Sequence, residues 1–162
     1  MKCLYSTTTE YNYAEFKRYN WAMFLARGKL LPYILMEIAL IAAALIFRQF
    51  EILALIAFAF PVIVVGTYIY RVRKAYKNGG APKKMTVTYE FYETELVERL
   101  DKGSAHYPYE KLQSLVETKK NVYLLLPGNV SIVLVKANFP AGLGEFVRTI
   151  IPNAEEMNKL KN

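Results

Sequence analysis

The stretch Leu30–Phe47, LLPYILMEIALIAAALIF, is followed after only Arg48-Gln49-Phe50-Glu51 by Ile52–Tyr70, ILALIAFAFPVIVVGTYIY. The two runs are 18 and 19 residues long, and the only charge inside either is Glu37. At ~1.5 Å rise per residue, helices of this length reach roughly 27–29 Å, close to the ~30 Å hydrocarbon core of a bilayer. Four residues cannot carry the chain back across. The spacing therefore predicts a hairpin of two antiparallel membrane helices, 30–47 and 52–70. A buried hairpin in a soluble bundle is the competing reading. It fits less well, because a chain of 162 residues has little other mass to wrap two helices that are apolar all round. The pattern is also unlike a signal peptide: 29 mostly polar residues come first, no small-residue cleavage pattern follows the first run, and a second run comes at once.

The net charge of +7 is unevenly spread. Residues 1–29 carry five Lys/Arg and two acids, residues 30–70 one and two, residues 71–84 six and none, and residues 85–162 nine and ten. Basicity thus flanks the open ends of the hairpin, above all as Arg71, Arg73, Lys74, Lys77, Lys83 and Lys84. Cations beside a span orient it and attract anionic lipid. The positive-inside rule places both termini in the cytoplasm and the Arg48–Glu51 turn outside, a multi-pass protein of the cell membrane. Tyr33, Tyr68 and Tyr70 then mark the inner interface, and Phe47 and Phe50 the outer one. Nucleic acid is a poor partner for a C-terminal part that is slightly acidic.

Cys3 and His106 are each alone in the chain, so no intramolecular disulfide, thiol ligand cluster or histidine pair can form. His106, in Ser-Ala-His-Tyr, suits a surface strand position. Gly79-Gly80 precedes Ala81-Pro82 and suits a linker better than a phosphate loop. The expectation is no enzyme, no metal and no cofactor. Glu93, Glu95, Glu98 and Asp101 cluster in sequence, on and beside a predicted hairpin where a solvated face is expected.

Within the spans, Glu37 is the costly residue, and antiparallel geometry brings the Thr67 hydroxyl to its depth as a candidate partner. A proton-linked or ion-pathway carboxylate is one reading; an acid hydrogen-bonded between two helices or two subunits is the other. Ahead of the spans, Asn12 can cap a helix with Glu15 in the capping-box position, and Tyr13–Ala26 is expected as an amphipathic helix on or near the cytoplasmic interface, the alternative being that it packs on the C-terminal domain. Gly28 ends it. Lys2–Thr7 is expected to add a strand to the sheet beyond the spans, covering an edge.

After Asn78–Pro82 the period changes to two. Met85, Val87, Tyr89 and Phe91 alternate with Thr86, Thr88 and Glu90, and further strands are predicted at Glu95–Leu100, Ser104–Tyr107, Gln113–Thr118, Val122–Leu126 and Val130–Lys136. Leu143, Phe146, Val147 and Ile150 give a closing amphipathic helix. The predicted organisation is an N-terminal segment (1–29), a helical hairpin (30–70), a basic linker (71–84), an α+β domain (85–151) and a polar tail (152–162). The α+β domain is expected as one bent antiparallel sheet of five to seven strands capped by the last helix.

Phe91-Tyr92-Glu93-Thr94-Glu95-Leu96, Tyr109-Glu110-Lys111-Leu112, Val116-Glu117-Thr118 with Tyr123-Leu124, and Val133-Leu134-Val135-Lys136-Ala137-Asn138-Phe139 carry a resemblance. Together with the order of the parts, they make residues 5–151 similar to the YcxB-like family of bacterial membrane proteins. That resemblance implies a two-span anchor and a pleckstrin-homology-like domain, and it brings no catalytic residues. Glu93 and Glu95 occupy the hairpin where inositol phosphates would need donors, so no phosphoinositide is expected. The function expected is a membrane-anchored binding or scaffold module for a peptide or protein partner, with homo-oligomerisation open. An accessory subunit of a transporter or channel using Glu37, or an immunity or envelope-stress protein, is the alternative.

Overall fold

The structure, a computed structural model, describes residues 2–79, 84–101 and 103–151. It divides into two units: residues 1–22 with 82–162, and residues 23–81. The first holds all the strands. β1 (Tyr5–Tyr11), β2 (Met85–Phe91), β3 (Glu95–Leu100) and β4 (Gly103–Pro108) form one antiparallel sheet in that order. β5 (Ser114–Glu117), β6 (Asn121–Leu125) and β7 (Ser131–Val135) form a second. The fold is α+β with two sheets, which corrects the expectation of one bent sheet.

The reason lies in β1. Its residues Thr7 and Thr9 are buried, and they reach the second sheet by side chain instead of by ladder. The Thr9 hydroxyl donates to the Val133 carbonyl at 2.7 Å, and the Thr7 hydroxyl to the Asn138 carbonyl at 3.0 Å. Asn138 Nδ2 returns a bond of 2.7 Å to the Thr8 carbonyl. Short hydroxyl side chains can satisfy buried carbonyls where two backbones do not align. No ladder joins β1 to β7, so the sheets do not close into a barrel.

β1 starts three residues later than expected and runs on to Tyr11, paired with β2 from Tyr5 opposite Phe91 to Tyr11 opposite Met85. The core between the sheets is built from the alternating apolar residues of both, including Val87, Phe91, Leu96, Leu124 and Leu134. α4 (Leu143–Thr149) covers one end of it with Leu143 and Val147, both fully buried. Its approach depends on Gly142, which has φ +85° and lies so close to Tyr5 that a Cβ would stand 3.1 Å from the Tyr5 hydroxyl. Tyr5 also stacks on Phe146 with ring centres 5.2 Å apart.

α1 (Tyr13–Ala26) forms with the predicted bounds, and Asn12 Oδ1 caps it by accepting from the Glu15 amide at 3.0 Å. Its first turns pack on the sheet unit. Glu15 is buried, accepts a hydrogen bond from the equally buried Asn121 at the start of β6 and pairs with Arg18. One turn on, the Tyr19 hydroxyl is 2.9 Å from Ser131 Oγ, and its ring meets Tyr123 edge-on at 5.6 Å.

In the second unit, α2 (Leu31–Ile46) and α3 (Phe50–Lys77) pack on each other across a turn at Phe47–Gln49. Three left-handed residues end the helices. Gly28 closes α1 with bonds from Gly28 N to Leu25 O and Lys29 N to Phe24 O, and Arg48 closes α2 with the same pair of bonds. Gly79, also left-handed, follows α3. These are the paired bonds of helix ends where a residue at positive φ turns the chain. They trim the first apolar run to a 16-residue helix, about 24 Å long. α3 is long and apolar enough to cross a bilayer by itself; α2 reaches that length only when counted with α1. Much of the apolar surface of both faces outward, with Phe58 78% and Val62 70% exposed.

Candidate functional site

β5 and α4 wall a cleft of about 150 Å³. Leu115 and Glu117 share a face of β5 because strand side chains alternate with period two. Leu115 meets Val122, Phe139 and Val147 as an apolar floor, while Glu117 stands at the rim with Lys136 and Arg148. Lys136 opens the helical turn after β7, and Arg148 lies in the last turn of α4. The Glu117 carboxylate accepts from Lys136 Nζ at 2.6 Å and from Arg148 Nε and Nη2 at 3.1 and 2.8 Å, the guanidinium engaging both oxygens. Fork-shaped pairing of this kind is the strong form of a carboxylate contact.

Only 8% of the Glu117 side chain is exposed. The Arg148 guanidinium, followed by the Lys136 ammonium, overcomes the cost of that burial and holds the carboxyl at about 2. Glu117 is therefore fixed as an anion near neutral pH, far from the value a general acid or base needs. What the cleft offers instead is an apolar slot with an ionic rim. It lies beside a strand whose outer edge has no ladder partner among the described residues.

A second polar cluster crosses the larger sheet. The Tyr107 hydroxyl donates to Glu98 Oε2 at 2.9 Å, the Tyr89 hydroxyl to Oε1 at 3.4 Å, and the Tyr11 and Tyr89 hydroxyls are 2.8 Å apart. Burial pushes the phenols of Tyr89 and Tyr11 up, and burial with the Glu98 charge pushes Tyr107 up to about 12. All three remain neutral donors near neutral pH. Glu98 is thus half-buried among tyrosines, which corrects its expected place on a solvated face; Glu93 is exposed. Glu95 pairs with the exposed ring of His106 at 3.2 Å.

The residues singled out from sequence are not drawn together. Arg71, Arg73, Lys74 and Lys77 are exposed on the last two turns of α3, and Lys84 is exposed just before β2 with φ +51°. Lys83 lies outside the described residues, as does the tail. Glu37 is half-buried on α2 and Thr67 exposed on α3, with no hydrogen bond between them among the described residues. The Phe24 ring lies 4.9 Å from Tyr68 and 6.3 Å from Tyr33, bringing the start of α2 and the later half of α3 to one level. Sequence reading missed Glu117, Lys136 and Arg148 as a group. They come from three elements, and only the polar end of the β5 face hinted at a role for Glu117. No family model, curated protein or solved structure matches the chain.

Proposed function

We propose that this chain is a membrane-anchored, non-catalytic binding module. The helical unit lies in the bilayer as a two-span hairpin, and the sheet unit, on the cytoplasmic side with both termini, presents the β5–α4 cleft to a peptide or protein partner. The observation that carries the reading is the outward-facing apolar surface of α2 and α3. Exposed patches of this extent on a soluble monomer mark a membrane or a partner. The YcxB-like resemblance supports it, as do the four-plus-three strand order and the closing helix, which is the build of pleckstrin-homology-like domains. An extended segment added to the free edge of β5 would find main-chain partners along the strand and a slot for one apolar side chain beside it.

The test is photo-crosslinking in cells from a reactive residue at Phe139, at the cleft wall. A discrete membrane or envelope partner, lost when Arg148→Glu reverses the rim charge, is the expected result. A set of adducts unchanged by Arg148→Glu refutes the cleft as the binding surface.

A further inference from the structure

On the sheet unit, next to the cleft and sharing Lys136 with it, is a second and wider concavity of about 500 Å³. Its walls are Arg18 of α1, Lys119 and Lys120 of the β5–β6 turn, and Val135, Lys136 and Ala137 at the end of β7. Four cationic side chains thus converge from three parts of the chain that are distant in sequence.

The four are not equivalent. Glu15 pairs with Arg18 and Glu117 with Lys136, so two of the charges are answered from the protein side. Lys119 and Lys120 have no acid within ion-pair distance among the described residues. The turn that carries them is nevertheless firmly built. Thr118 Oγ1 donates to the Asn121 carbonyl and accepts from the Asn121 amide, both at 3.0 Å, and the Lys136 amide donates to the Lys120 carbonyl at 2.9 Å. Backbone and rim are therefore set in advance, which lowers the ordering cost of binding. Like charges held side by side repel unless an anion or solvent intervenes.

From this arrangement we infer that the concavity binds a phosphate group, of the monoester or pyrophosphate class. Two unanswered ammonium groups match the charge of roughly −1.5 to −2 that a phosphate monoester carries near pH 7. The Arg18 guanidinium supplies planar donors suited to phosphate oxygens, and the lysines supply rotatable ones. The space exceeds what a single small anion fills, leaving room for the moiety that bears the phosphate. That moiety is either a lipid headgroup or a free phosphorylated metabolite. This inference is independent of what fills the cleft and of how the helical unit meets the bilayer.

The experiment is calorimetric titration of the full chain in neutral detergent with inorganic pyrophosphate, for the wild type and for Lys119→Ala/Lys120→Ala. Both lysines are exposed and have no ion-pair partner among the described residues, so the double variant is expected to keep the wild-type thermal unfolding. Saturable binding, weakened roughly tenfold to a hundredfold by the double substitution, is expected. Repeating the titration in nanodiscs of phosphatidylcholine, with and without phosphatidic acid, separates the two sources. Loss of pyrophosphate binding only with phosphatidic acid identifies a headgroup ligand; unchanged binding identifies a soluble one. No saturable binding up to about 1 mM, or binding that the double substitution leaves unchanged, overturns the inference.

Discussion

Tyr11, the last residue of β1, stands opposite Met85, the first residue of β2, although the entire helical unit lies between them in the chain. The helical unit is therefore an insertion between two neighbouring strands of one sheet. The first strand of the sheet unit precedes the apolar helices in the chain, and the strand it pairs with follows them. Anything that weakens β1 loosens the contact between the sheets as well as an edge.

The buried Thr9 hydroxyl gives the first prediction. Thr9→Val keeps the shape but leaves the Val133 carbonyl without its side-chain donor, and it is expected to destabilise the sheet unit by about 1–2 kcal/mol. Thermal unfolding in detergent, followed by near-ultraviolet circular dichroism, checks it. A melting temperature equal to that of the wild type would show that the hydroxyl bridge contributes nothing.

Gly142 gives the second. Its φ of +85° disfavours any side chain, and a Cβ would press on Tyr5. Gly142→Ala is expected to cost about 1–3 kcal/mol and to loosen α4 from β1. Hydrogen exchange should then rise together in Tyr5–Tyr11 and Leu143–Thr149; a rise in α4 alone would uncouple the two.

Glu117 predicts a pH dependence with a definite sign. Its folded-state value of about 2 is below its ordinary value of 4.5, so its ion pairs add stability above pH 4.5 and lose it as pH falls towards 2. Because Arg148 is half-exposed, the contribution is discounted for solvent to about 1–2 kcal/mol at neutral pH. Glu117→Gln should therefore melt earlier than wild type at pH 7 and converge with it near pH 2. A constant gap across that range would mean the carboxyl acts by shape and not by charge.

Arg48 occupies the left-handed position that ends α2, with φ +56°. A non-glycine residue there carries a strain of about 1 kcal/mol, so Arg48→Gly is expected to preserve or raise the thermal stability of the helical unit in detergent. A marked fall would show that the Arg48 side chain makes a contact worth more than the strain.

Most strands were legible because they are ordinary. β2 and β3 form at the predicted residues and the other four downstream strands within two residues of their predicted ends, since apolar alternation broken by turn residues encodes burial on one face. β1 was legible only in part. Ser6-Thr7-Thr8-Thr9-Glu10 shows no apolar alternation, because its inward residues are threonines whose hydroxyls bond to β7 and the turn after it. The same bonds explain why two sheets could not be told from one bent sheet by strand count. By spacing alone Glu15 is a local capping partner of Asn12. Its actual partner, Asn121, is brought to it only by the fold. The cleft and the basic concavity were hidden for the same reason: Arg18, Lys119, Lys136 and Arg148 meet through tertiary packing, and no local spacing reports it.

The insertion and the bilayer proposed around it are tested most directly by cysteine labelling, since Cys3 is the single cysteine and is exposed. Intact cells carrying either the wild type or Cys3→Ser/Gln49→Cys are treated with a membrane-impermeant maleimide. The expected result is labelling of the Gln49→Cys protein in intact cells and of wild-type Cys3 only after permeabilisation. Labelling of Cys3 in intact cells, or protection of the Gln49→Cys protein until the membrane is opened, would contradict a hairpin that crosses the bilayer and returns its second helix to the strand that β1 awaits.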